Sequence, residues 1–134
     1  NLSHSGGLAA LGVCNGDARI GVDIEAFRPV EDDVARRFFA PAEYAALSAL
    51  SEAQWEAGFF RCWTRKEAIV KGCGPGLSMP LDSFDVTLAP DAPARLTRFD
   101  GGRVEGAAEV AAAGLHQLPD MDLAVIDGAG VEHP

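Results

Sequence analysis

Lysine is almost missing from this chain. Its 134 residues contain two, Lys66 and Lys71, and both fall inside a single run, WTRKEAIVK at 63–71. Positive charge is scarce overall: 11 Lys and Arg stand against 20 Asp and Glu, a net charge of −9. That balance argues against nucleic acid as the main partner. Cysteine is sparse too. Cys14, Cys62 and Cys73 form no CxxC pair and no zinc spacing, so they read as small buried hydrophobes with reduced thiols, in keeping with a cytoplasmic protein. Long apolar runs are lacking, and none approaches the ~20 residues of a membrane span. The glycines at 72, 74 and 76 match neither a Walker nor a dinucleotide fingerprint. No G-x-S-x-G elbow is present, which leaves no case for a serine nucleophile.

What remains is a globular chain, 48% apolar, long enough for one domain with its own core. Residues 8–13 (LAALGV) and 18–24 (ARIGVDI) read as strands joined by an NGD turn at 15–17, a hairpin signal. A short helix is expected over 34–40, capped by Asp32 or Asp33, and another over 41–50 opened by Pro41. Ser51 and Gln54 form a capping box for a long helix, about 52–71, ended by Gly72. Trp55, Phe59, Cys62, Lys66 and Ile69 fall near one line of that helix, widened by Trp63 and Val70. With Phe38 and Phe39, the tryptophans read as core. Strand-like runs follow at 83–89, 94–99, 104–118 and 121–127, the Ala-rich 107–113 being ambiguous, and GAGVEHP reads as a loose tail.

Three constellations bear chemistry. Asp23 and Glu25 alternate with Val22 and Ile24, so they share one strand face with Cα atoms roughly 6.6–7 Å apart. Two neighbouring acids repel, and a magnesium-sized cation would offset that. Taken alone, the pair also reads as a solvent-facing face carrying acids for solubility. Gly21 beside them leaves room for close approach of a ligand. Glu67 and Lys71, four apart, share a helix face; taken alone they equally form a plain surface ion pair. Ser3-His4-Ser5-Gly6-Gly7 combines hydroxyls, an imidazole and glycine amides suited to phosphate oxygens, and otherwise reads as a polar loop.

In order, NLSHS, GVDIE, FF-x-x-x-E-Y, WTRKEAIVKGCGPGL and PLDSFDV resemble the Sfp-type 4′-phosphopantetheinyl transferases. The resemblance is collinear from Asn1 to about Val86 and continues weakly through LAVID at 123–127. It implies an α+β fold, an antiparallel sheet packed against a long helix, forming one half of a pseudo-dimeric architecture. The whole chain, 1–134, then corresponds to the second half, and an N-terminal half is expected to precede Asn1. It implies magnesium-dependent transfer of the 4′-phosphopantetheine arm of coenzyme A to a serine of an apo acyl or peptidyl carrier protein, releasing 3′,5′-ADP. Asp23, Glu25 and Glu67 match the metal-binding acids, and Lys71 the lysine that contacts the coenzyme phosphates. Ser3 and His4 match the pair that contacts the 3′-phosphate; Glu43 lies at an acidic position of the family, and Phe27 to Phe39 matches the region near the carrier. Glu67, or a water bound to the metal, is the candidate base for the carrier serine. The missing half would supply basic residues; self-association, as in the small trimeric holo-acyl-carrier synthases, is the other way to complete the site. The alternatives are a non-catalytic coenzyme-binding half-domain and a metal-dependent phosphohydrolase.

Overall fold

A computed structural model describes residues 1–13, 20–72, 79–99 and 121–127. The chain opens with a hairpin: β1 (Leu2–Ser5) and β2 (Leu8–Leu11), antiparallel, with Ser3 opposite Ala10 and Ser5 opposite Leu8. Gly6 (φ 58°) and Gly7 (φ 79°) make the two-residue turn. Both angles are positive, as this class of hairpin turn demands, and only glycine adopts them freely. The Ser3–Gly7 run is therefore a strand and its turn, not a loop, and β2 pairs with β1 and not with the strand that the sequence suggested at 18–24. The NGD turn itself lies outside the described residues.

Strand β3 (Ile20–Ala26) pairs antiparallel with β6 (Met121–Asp127), Ile20 opposite Asp127 and Ala26 opposite Met121. Its other edge meets β1 through side chains. Asn1 Oδ1 accepts from the Val22 amide at 2.9 Å, Ser3 Oγ from Ile24 at 3.1 Å and Ser5 Oγ from Ala26 at 2.9 Å. Alternate residues of β1 thus satisfy alternate amides of β3, closing an edge that would otherwise be bare.

Helix α1 (Asp32–Phe38) carries Asp32 and Asp33 in its first turn and Arg36 and Arg37 in its last, both matched to the helix dipole. The cap position is Glu31 and makes no side-chain cap bond; the two aspartates expected as caps sit inside the helix. Helix α2 (Pro41–Ser48) begins on Pro41, whose missing N–H is no loss at the first helical position. Helix α3 (Glu52–Gly72) has 21 residues, a length of about 30 Å. Phe59, Cys62, Lys66 and Ile69 form its buried line, as the periodicity predicts. Among the described residues no helix is long and apolar enough to cross a membrane.

A 3-10 turn at Leu81–Ser83 leads into β4 (Phe84–Val86), paired with β5 (Leu96–Phe99). The core gathers Phe39, Leu47, Phe59, Phe60, Ile69, Phe84, Val86 and Leu96 between α1–α3 and β4–β5. Phe38, expected in the core, stays 37% exposed and meets Trp63 edge-on at 6.0 Å. The architecture is α+β. Its described strands form three two-stranded antiparallel pairs where the sequence suggested one sheet. The strand candidates at 104–118, the Ala-rich piece and the tail lie outside the described residues.

Helix α3 crosses β3 at Gly21. A Cβ added there would overlap the Ala68 carbonyl oxygen and lie 2.6 Å from the Gly72 nitrogen. The space beside Gly21 is thus taken by helix backbone and not by a ligand. This crossing sets the last turns of α3 against the acidic residues of β3.

Candidate active site

Asp23 is buried, not solvent-facing. Its Oδ1 accepts from Lys71 Nζ at 2.9 Å and from Ser3 Oγ at 3.0 Å. Lys71 Nζ also donates to the Val22 carbonyl at 3.3 Å. The expected partner of Lys71 on its own helix, Glu67, is replaced by an acid 48 residues away. Burial pushes the Asp23 carboxyl above its ordinary range, against the pull of Lys71. Asp23 Oδ2 is buried and has no hydrogen-bond partner among the described residues. A buried carboxylate oxygen is rarely left so.

Glu67 lies one turn before Lys71 and is half-buried. Its carboxyl is raised by burial first and then by repulsion from Asp23; Lys71 opposes this, and Glu25 adds a smaller repulsion. Glu67 on α3 thus feels the charge of both acids on β3. Glu25 leans on Arg28, whose Nη1 donates to Oε2 at 3.0 Å, and the Arg28 guanidinium lies 5.1 Å from the centre of the Phe60 ring. Among the described residues no group of three or more His, Cys, Asp or Glu side chains is placed so that it could hold a metal ion, so the expected Asp23, Glu25 and Glu67 cluster is not assembled. By chemistry alone, the carboxylate oxygens of Asp23, Glu25 and Glu67 are donors of the kind a hard divalent cation takes.

The other residues singled out from the sequence are placed differently. Ser3 is buried, and its hydroxyl bonds within the fold. His4, next along β1, is exposed on the opposite face of the hairpin. Glu43 and Lys66 belong to the core. Lys66 Nζ lies 2.8 Å from Glu43 Oε1, donates to the Leu81 and Phe84 carbonyls, and stands 4.0 Å from the centre of the Phe84 ring. Glu43 accepts from the Ala40 amide at 2.9 Å and from Val86 at 2.8 Å. Cys62 is a buried free thiol whose titration is pushed well up by burial, so it is no nucleophile. Cys14 and Cys73 lie outside the described residues. Arg28 escaped sequence reasoning, and Ser5, grouped there with Ser3 and His4 as a phosphate-holding run, instead accepts from the Ala26 amide. A long polar side chain at 28 carries no local pattern, and Ser5 shows its role only through its spacing from Asn1 and Ser3.

A family model described as the 4′-phosphopantetheinyl transferase superfamily matches residues 19–119. The chain belongs to that superfamily. The matched segment of the superfamily holds Asp23, Glu25, Glu67 and Lys71; Ser3 and His4 precede it. A 4′-phosphopantetheinyl transferase of Bacillus subtilis is 43% identical over 102 residues, 75% of this chain and 44% of that protein. HetI, a 4′-phosphopantetheinyl transferase of a Nostoc species, is 44% identical over 98 residues, 72% of this chain and 40% of its own length. Sfp of Bacillus subtilis is 41% identical over 92 residues, 68% of this chain and 40% of its own length. The chain thus spans less than half the length of the curated relatives it matches.

Proposed function

We propose that this chain forms part of a magnesium-dependent enzyme that transfers the 4′-phosphopantetheine arm of coenzyme A to a serine of an apo acyl or peptidyl carrier protein. The observation that carries the reading is the Asp23–Lys71 ion pair, which ties β3 to the last turn of α3 one turn beyond Glu67, inside the segment that the superfamily model matches. Relatives named as 4′-phosphopantetheinyl transferases support the same chemistry.

The reaction forms a bond between the carrier serine oxygen and the phosphorus that bears the pantetheine arm. It breaks that phosphorus's bond to the bridging oxygen, and 3′,5′-ADP leaves. Asp23, Glu25 and Glu67 would hold the magnesium ion, which when bound supplies charge to offset the anionic pyrophosphate. Lys71 is the fixed cation of the site: 30% exposed and tied to Asp23, it presents an ammonium to phosphate oxygens at the solvent side. Glu67 accepts the proton of the carrier serine, and its raised affinity for protons suits that task. His4, exposed on β1, contacts the 3′-phosphate. Arg28, Arg36 and Arg37, all exposed, lie in the Phe27–Phe39 segment that faces the carrier. The protein works in the cytoplasm, where its thiols stay reduced.

A second unit completes the coenzyme site, either a preceding half of the same polypeptide or another copy. The relatives' greater length supports this. So does the exposed cross-strand pair of Leu2 (60%) and Leu11 (70%) on the outer hairpin.

The test is incubation with coenzyme A, magnesium and an apo carrier protein. A gain of one phosphopantetheine in the carrier's mass is the expected result. Binding of coenzyme without that gain would leave a non-catalytic half-domain, and release of phosphopantetheine to water without a carrier would make the protein a phosphohydrolase.

A further inference from the structure

We infer that Tyr44 is a positioning residue: its hydroxyl fixes α1, and α1 in turn sets the surface offered to the carrier protein. The inference rests on the function proposed above and assigns a role to one residue of α2 within it.

Helix α1 has little to hold it by itself. Its seven residues are too few for a helix that is stable alone in water. Its cap position, Glu31, makes no side-chain cap bond, and Ala35 is its only buried residue. Its place must come from contacts with the elements around it.

Tyr44 supplies one such contact from a fixed root. Its ring packs against the core cluster, and its hydroxyl donates to Asp32 Oδ2, in the first turn of α1, at 2.7 Å. Arg36, one turn further on, donates through Nη2 to that same oxygen at 3.2 Å and to the Tyr44 hydroxyl at 3.1 Å. The Arg36 guanidinium also lies 5.5 Å from the centre of the Tyr44 ring. Three side chains on two helices thus close a ring of hydrogen bonds. An Asp–Arg pair four apart on an exposed helix holds little by itself. Tyr44 adds an anchor, because it ties both members of that pair to a ring packed against the core.

The same contacts turn Arg36 back onto α1 and α2. Arg36 is one of three arginines in the carrier-facing segment, and Arg28 is likewise turned to Glu25. Loss of the Tyr44 hydroxyl would therefore loosen α1 and release Arg36 together, changing the shape and the charge of that surface. Among the described residues Tyr44, Asp32 and Arg36 bond to none of Asp23, Glu67 and Lys71. The effect should fall on the carrier and not on the coenzyme.

The test uses Tyr44→Phe, which keeps the ring and removes the hydroxyl, with Asp32→Ala and Asp32→Asn beside it. Calorimetry measures affinity for apo acyl and apo peptidyl carrier proteins and for coenzyme A, and amide hydrogen exchange reports on α1. Tyr44→Phe is expected to weaken carrier binding by about 5- to 10-fold. It should speed exchange in α1 but not in α3, and leave coenzyme A affinity unchanged. In the transfer assay the loss appears in KM for the carrier, with kcat unchanged. Asp32→Ala gives the same loss, and combining it with Tyr44→Phe adds little, because one contact is removed twice. Asp32→Asn, which keeps an oxygen acceptor, restores carrier affinity. If Tyr44→Phe does not fold, Asp32→Ala, at the exposed end of the same bond, carries the same expectation. Unchanged carrier affinity in folded Tyr44→Phe, or a parallel fall in coenzyme A affinity, overturns the inference and leaves the proposed function standing. An unmodified protein that binds coenzyme A but neither carrier overturns the carrier-transfer reading, and the carrier role of Tyr44 with it.

Discussion

The Lys66 ammonium lies 2.8 Å from the Glu43 carboxylate, and neither side chain reaches solvent. The pair joins α2 to α3, and its remaining hydrogen bonds reach Ala40, Leu81, Phe84 and Val86. It therefore fixes the rotation of α3 about its axis. Glu67 follows Lys66 directly, so the buried pair on one side of the helix sets where the catalytic candidates on the other side point.

Removing one partner should be severe. Lys66→Met leaves the Glu43 carboxylate buried without its counter-ion and is expected to lower unfolding free energy by about 3–5 kcal/mol. Glu43→Gln with Lys66→Met removes both charges but keeps an acceptor for only one of the Ala40 and Val86 amides, which bond different carboxylate oxygens; it is expected to recover part of that loss. Denaturant titration of the two single variants and the double variant measures the coupling, and strict additivity would show that the pair is not a unit.

The Lys66→Met deficit should depend on pH. Burial already holds the Glu43 carboxyl above its ordinary range, with Lys66 pulling it down. Without Lys66 it rises further. A carboxyl with a raised folded-state value contributes stability that is present below its unfolded value, about pH 4.3. That stability is lost as pH rises through the folded value. The gap between variant and unmodified protein is therefore expected to widen from about pH 4 upward. Thermal melts across pH 4 to 8 would check this, and a gap that narrows with rising pH would refute it.

Gly21→Ala should break the helix–strand crossing. The added methyl meets the Ala68 carbonyl and the Gly72 nitrogen, which are backbone atoms and cannot rotate away. A loss of at least about 1–3 kcal/mol is expected, together with a drop in transfer rate as Glu67 and Lys71 separate from Asp23. Melting temperature and carrier mass shift report the two effects.

Glu67→Gln keeps the shape of the side chain and removes the base. Turnover is expected to vanish while calorimetry still shows coenzyme binding. Surviving turnover would place the base elsewhere, for example on a metal-bound water. At neutral pH, without divalent ions, the same variant should melt higher than the unmodified protein. Its neutral amide avoids the burial and repulsion that raise the Glu67 carboxyl.

Much of α3 was legible in the sequence. Its hydrophobic line and its approximate start follow from local spacing and punctuation. Pro41 at the head of α2 is equally local. The hairpin was misread because residues 8–13 can pair on either side. The Gly6-Gly7 turn at positive φ brings them back onto β1, and no pattern within β2 encodes that choice. The acids at 23 and 25 were recognisable by alternation, but their burial was not, because it depends on a helix 40 residues further on.

By itself the sequence determined the superfamily, the long helix and the short list of acids and lysines able to do chemistry. Residue order, period and turn composition are properties of neighbours along a chain. The tertiary structure decided which cation belongs to which acid: Lys71 with Asp23, Lys66 with Glu43. It also turned the Ser3 hydroxyl inward to Asp23. Such pairings depend on distances across elements, and a buried charge or hydroxyl takes the partner that the packing brings within about 3 Å, however far away in sequence that partner lies.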